Sequence, residues 1–145
     1  LIVNDRVDVA LAAGADGVHL GQQDMDCGSA RRLLGDGAIV GLSVETVEQA
    51  REARALDVDY LGAGPVFATA TKPDAAAALG FAGLSGICAV ACQPVVAIGG
   101  IGAGNAQQAI QSGAAGIAVV SAICSAEDPE RAAAELRRLI GSSRG

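Results

Sequence analysis

Asp5 and Asp24 follow the short apolar runs of LIVND and GVHLGQQD, and two carboxylates at the ends of neighbouring strands form the donor set of a hard divalent cation. Mg²⁺ fits such a pair, because it takes oxygen ligands and keeps phosphate oxygens or water among them. Its charge also turns the repulsion between two carboxylates and a diphosphate into attraction. Lys72, at the end of GPVFATATK (64–72), would neutralise more of that negative charge, with Asn4 and Ser43 donating hydrogen bonds. Each residue also has a purely structural reading: Asp5 as a helix cap, Asp24 in a solvated loop, Lys72 before Pro73 as surface charge.

A second anion needs no cationic side chain. Gly99-Gly100, at the end of PVVAIGG, permits close backbone approach, and N–H groups converging at a glycine turn and a helix start hold phosphate by themselves. Ser121, after Val120 in GIAVVS, adds a hydroxyl. The competing reading is a tight turn that merely requires glycine. His19, the single histidine, sits inside a strand-like run and is expected to be packed or hydrogen-bonded rather than catalytic. The four cysteines, Cys27, Cys88, Cys92 and Cys124, include no CxxC pair. They read as buried free thiols acting as small apolar side chains, with Cys88 and Cys92 on one helix face.

The elements that must carry these residues alternate along the whole chain. LIVND gives way to RVDVALAAGA, DGVHLG to CGSARRLLGDG, AIVGLS to TVEQAREARALD and DYLGAGPVF to FAGLSGICAVA. PVVAIGG then precedes GAGNAQQAIQSG, and GIAVVSAI precedes DPERAAAELRRLI. Nearly continuous apolar strands, each followed by a helix of period near 3.6, predict about six parallel βα units. Asp128-Pro129 reads as a helix N-cap with proline at the first helical position, and Gly14, Gly35 and Gly113 as helix C-terminal glycines. The partial GGIG at 99–102 comes late and lacks the acidic residue that should follow a dinucleotide fingerprint, so the open doubly wound sheet is disfavoured. The fold class predicted is α/β, a (β/α)8 TIM barrel with strands 3 to 8 present. Residues 1–145 are read as a single domain, a partial TIM barrel lacking the first two βα units. In such a barrel, chemistry belongs at the C-terminal ends of the strands, where every residue named above falls.

Composition narrows the partners. With 51% hydrophobic and 18% charged residues the chain is a folded one, and 2% aromatics disfavours single-stranded nucleic-acid platforms built on stacking rings. A net charge of −6 without a basic cluster argues against duplex DNA and anionic membranes. The longest apolar stretch is broken by Gln93-Pro94, so no transmembrane helix is expected. The chain opens without methionine directly in an apolar run, which reads as a missing N-terminus.

VNDR (3–6), ADGVHLGQQD (15–24), GLS (41–43), DYLGAGPVFATATK (59–72) and PVVAIGGI (94–101) together resemble the thiamine phosphate synthase family in order and spacing. GPVFATATK and HLGQQD are specific to it, whereas PVVAIGGI is shared by many phosphate-binding barrels. The resemblance implies a cytoplasmic, Mg²⁺-dependent transferase of thiamine biosynthesis. It would join 4-amino-2-methyl-5-hydroxymethylpyrimidine diphosphate to thiazole phosphate, releasing pyrophosphate and forming thiamine phosphate. It implies that Asp5 and Asp24 bind Mg²⁺, and that Asn4, Ser43 and Lys72 contact the diphosphate, Lys72 and Ser43 as catalytic residues. Thr69, Thr71, Gly100, Val120 and Ser121 would hold the thiazole phosphate, the last three largely through backbone groups.

The chain departs from the family in two places. The two strands that precede Leu1 in the family, with their glutamine, arginine and lysine cluster, have no counterpart here. Val44-Glu45-Thr46 also stands where a histidine and threonine are common. A thiazole tautomerase-like barrel shares the glycine-rich phosphate end but usually lacks the aspartates combined with the lysine loop. A flavin mononucleotide barrel, or a non-catalytic truncated paralogue binding a phosphorylated ligand, are the remaining rivals. Monomer and homo-oligomer are both compatible with the sequence.

Overall fold

Every strand of this protein is short and apolar enough to be covered, and the computed structural model, described for residues 1–69 and 77–142, arranges them side by side in chain order. The strands are β1 (Ile2–Asn4), β2 (Gly17–Leu20), β3 (Ile39–Val44), β4 (Tyr60–Ala63), β5 (Val95–Ile98) and β6 (Gly116–Ala118). All neighbours pair in parallel in the order β1-β2-β3-β4-β5-β6. Between them run α1 (Val7–Ala13), α2 (Cys27–Leu34), α3 (Val47–Glu52), α4 (Gly80–Val90) and α5 (Ala106–Gln111), and beyond β6 follow α6 (Ser121–Cys124) and α7 (Pro129–Gly141). The six βα units expected from the alternation are therefore present among the described residues.

The strand period of two sorts side chains onto two unlike faces. Val18 and Leu20 of β2, Val40, Leu42 and Val44 of β3, Leu61 and Ala63 of β4, and Val95 and Ala97 of β5 are buried. They form one core with Val7 and Ala10 of α1, Cys27 and Ala30 of α2, Leu84 and Ile87 of α4 and Leu136 of α7. Truncating a fully buried leucine such as Leu61 in a core of this kind costs about 2–5 kcal/mol. The opposite face holds the alternate residues, among them Asn4, Gly17, His19, Gly41, Ser43, Tyr60, Gly62, Val96 and Ile98. It is small and polar at its centre, and Ile39 and Ile98 on it are each 41% exposed.

Helix ends follow the expected chemistry. Asp128 accepts from the Arg131 N–H at 3.0 Å with Pro129 at the first position of α7. Gly14 ends α1 in the left-handed region at φ 57°, where a side chain would be strained. Asp26 and Thr46 cap α2 and α3 by accepting from Ser29 and Gln49 N–H groups. Arg6 occupies the N-cap of α1 without a side-chain cap bond. The cysteine expectation also needs correction. All four thiols are free, but only Cys27 is buried; Cys92 and Cys124 are exposed, and Cys92 lies beyond the end of α4 rather than on a helix face with Cys88.

At the N-terminal ends of the strands a charged lock closes on itself. Arg31 of α2, 8% exposed, donates to Asp59 Oδ2 at 2.8 Å and to the carbonyls of Ala38 and Asp57. The same Asp59 oxygen accepts from the Val40 N–H at 2.7 Å. Burial pushes the Asp59 carboxyl up, but the Val40 N–H and the Arg31 guanidinium outweigh it and hold the group below its ordinary range.

Candidate active site at the C-terminal rim

Because all six strands run the same way, the turns at their C-terminal ends share one rim. Asn4 is the last residue of β1, and Asp5 follows it with φ 62°, a left-handed conformation uncommon outside glycine. The turn is pinned on both sides: the Asp5 N–H donates to the His19 carbonyl at 2.8 Å and the Arg6 N–H to the Asn4 carbonyl at 2.7 Å. Asp24 lies in the turn after β2, where its Oδ2 accepts from the Gly21 N–H at 2.6 Å. The two carboxylates thus come from adjacent turns, both exposed. Among the described residues no group of three or more His, Cys, Asp or Glu side chains is placed to hold a metal. Asp5 and Asp24 supply oxygen donors from two adjacent turns, the donor type that Mg²⁺ takes alongside water and phosphate oxygens.

Ser43 stands one residue before the end of β3, with its backbone carbonyl accepting from Gln22 Nε2 at 2.7 Å. Its Oγ lies 2.8 Å from His19 Nε2, and the other ring nitrogen, Nδ1, lies 2.9 Å from the Tyr60 hydroxyl. The registry explains how one imidazole reaches both. His19, Gly41 and Tyr60 are directly opposite one another on β2, β3 and β4, and Ser43 is opposite Gly62. A Cβ at Gly41 would collide with both the Tyr60 ring and His19 Nδ1, and one at Gly62 would lie 2.9 Å from His19 Cε1. The glycines are the space into which the ring fits. Burial depresses the basicity of His19, opposed by the nearby Asp24 charge, and burial raises the Tyr60 phenol. The expectation that His19 is hydrogen-bonded within a strand agrees with this geometry.

The β4, β5 and β6 ends are built from backbone. Val66 and Phe67 N–H groups donate to the carbonyls of Ile98 and Gly99 at 2.9 and 3.0 Å, which lays the segment leading to Thr69 along the turn after β5. Gly99 and Gly100 take φ 94° and 64°, and a Cβ on Gly100 would lie 2.7 Å from that of Phe67, so glycine is required there on two counts. Asn105 braces this turn by accepting from the Gly102 N–H at 2.8 Å and donating to the Gly100 carbonyl at 2.9 Å. A Cβ built on Gly102 would sit 3.9 Å from Ala122, so the turn neighbours the start of α6. Val120 and Ser121, both exposed, occupy the N-cap and first position of that short helix. The strand-like run GIAVVSAI extended through Ile123, whereas β6 stops at Ala118.

Of the sequence candidates, Asn4, Asp5, Asp24, Ser43, Thr69, Gly100, Val120 and Ser121 all fall on this rim. Thr71 and Lys72 lie outside the described residues. Tyr60, Gln22 and Asn105 were missed. The first two act through hydrogen bonds between strands that no local motif announces; Asn105, three residues after Gly102, had a legible turn signal.

The sequence model described as thiamine monophosphate synthase matches residues 1–123. The thiamine-phosphate synthase of Albidiferax ferrireducens is 53% identical over 140 residues, 97% of this chain and 64% of that protein. That of Chloroflexus aurantiacus is 54% identical over the same shares, so the chain spans a little under two thirds of these curated relatives. Among solved structures, thiamine phosphate pyrophosphorylase from Pyrococcus furiosus superposes with a TM-score of 0.90 at 46% identity, covering 99% of this chain and 68% of that one.

Proposed function

This chain belongs to the thiamine monophosphate synthase family, and from that premise we propose that the full-length protein joins 4-amino-2-methyl-5-hydroxymethylpyrimidine diphosphate to thiazole phosphate. The products are thiamine phosphate and pyrophosphate. The observation that carries the reading is the common rim: six parallel strands bring Asn4, Asp5, Asp24 and Ser43 to one stretch of it and Thr69, Gly100 and Ser121 to the next. Two substrates that each carry phosphate need two such places side by side.

In this reading Asp5 and Asp24 hold Mg²⁺, which when bound neutralises charge on the diphosphate. Asn4 and Ser43 donate hydrogen bonds to the same group, and Lys72 adds positive charge as it departs. Thr69, Thr71 and the backbone at Gly100, Val120 and Ser121 hold the thiazole phosphate. The C–O bond to the diphosphate breaks first, the aminopyrimidine shares the resulting positive charge, and the thiazole nitrogen supplies the electron pair of the new C–N bond. Such a reaction asks for charge stabilisation and alignment rather than for a strong general base. A rim with one half-buried imidazole of reduced basicity suits it.

We read the chain as one domain carrying six units of an eight-unit barrel, and the enzyme as cytoplasmic. Among the described residues no helix is long and apolar enough to cross a membrane. The test is thiamine phosphate formation by the full-length protein from the two substrates, with and without Mg²⁺, beside a Lys72→Ala variant. Metal-dependent turnover lost in the variant is the expected result. Thiazole phosphate binding with no turnover would replace the reading with a ligand-binding module.

A further inference from the structure

We propose that Tyr60 and His19 form a hydrogen-bond relay that sets the direction of the Ser43 hydroxyl, making His19 and Tyr60 positioning residues. In this relay the Tyr60 O–H donates to His19 Nδ1, the Nε2–H donates to Ser43 Oγ, and the Ser43 proton is turned outward to an anion at the rim. The observations are the two contacts of 2.9 and 2.8 Å on opposite nitrogens of one ring, and the glycines at 41 and 62 that clear its path.

A neutral imidazole has one donor and one acceptor nitrogen, so only two arrangements of the chain exist. In the first, as proposed, the spare proton sits on Ser43. In the second, Ser43 donates to Nε2, Nδ1–H donates to the tyrosine oxygen, and the spare proton sits on Tyr60. The phenol is the most acidic donor of the three groups and its oxygen the poorest acceptor, while an imidazole nitrogen is the best acceptor, which favours the first. Geometry favours it as well. Among the described residues His19 is the only hydrogen-bond partner of either hydroxyl, so the two arrangements differ in which half-buried O–H is left to face outward. Of the two, Ser43 lies one step nearer the strand ends, with its main chain fixed by Gln22.

What the outward proton serves rests on the synthase reading: it is a hydrogen bond to the diphosphate. The relay itself does not rest on it, and the experiment has one arm for each. On full-length protein with ¹⁵N-labelled histidine, the His19 resonances are assigned by their loss in His19→Gln. At a pH where the ring is neutral, the expected spectrum has a protonated Nε2 and a bare Nδ1; a protonated Nδ1 overturns the relay whether or not the protein makes thiamine phosphate. Tyr60→Phe removes the donor and should move the proton toward Nδ1.

The second arm is kinetic. Ser43→Ala should lower kcat/KM about tenfold to a hundredfold, the effect of one hydrogen bond to a charged group. Tyr60→Phe should lose part of the same factor, and the double variant should be no worse than Ser43→Ala alone. Independent, multiplying losses would show that Tyr60 acts through packing and would overturn the positioning role. Absence of turnover in the unsubstituted protein would instead sink the synthase reading and leave the tautomer to decide the relay.

Discussion

The two halves of the rim are built by opposite means. At the β1 to β3 ends the chemistry is in side chains: two exposed carboxylates, a serine fixed through an imidazole and a phenol, and glutamine on its carbonyl. At the β5 and β6 ends it is in the main chain, where Gly99 and Gly100 turn through positive φ under the brace of Asn105, beside the start of α6. The lesson concerns charge. In the function proposed above, a diphosphate that must leave calls for a cation that can be recruited, whereas a phosphate that only anchors its substrate needs no more than fixed N–H dipoles.

Substitutions can break the contrast, and the largest effect is expected on the side-chain half. Asp24→Asn should lower kcat/KM by about a hundredfold or more, beyond the loss typical of an outer partner of a metal ligand. Raised Mg²⁺ should restore part of it, as read from initial rates across a metal titration. On the backbone half, Gly100→Ala forces a Cβ against Phe67 at a φ of 64°, at a cost of about 1–2 kcal/mol for the conformation alone. The expected loss of about tenfold should appear in KM for thiazole phosphate and be insensitive to Mg²⁺. Asn105→Ala removes two hydrogen bonds of about 1 kcal/mol each. Its effect should be several-fold, again confined to the thiazole phosphate KM.

A change far from both halves sharpens the comparison by leaving turnover alone. Arg31→Met opens the lock at the other end of the sheet. The Asp59 carboxyl is held below its ordinary range, so it contributes stability above its unfolded value that is lost as pH falls through the folded one. Without Arg31 that loss starts at higher pH. The acid unfolding midpoint followed by circular dichroism should therefore rise, while kcat near neutrality stays unchanged.

The two halves also differed in how far the sequence revealed them. The alternation of apolar runs and amphipathic segments located six strands and the helices between them, because a sheet face buried against amphipathic helices leaves a local signature. The glycine turn after β5 was legible for the same reason: positive φ demands glycine locally. The aspartates were legible as types, but the pinned left-handed turn at Asp5 was not. The His19 relay was hidden because its members are 24 and 41 positions apart and meet only through registry across glycines. Likewise α6 was hidden inside an apolar run that read as more strand.

The separation of the two halves is tested most directly by KM for each substrate in Asp24→Asn and Gly100→Ala of the full-length protein. A crossed result is expected, with the pyrimidine diphosphate KM raised and Mg²⁺-sensitive in the first variant and only the thiazole phosphate KM raised in the second. Equal impairment of both substrates by both variants would contradict it.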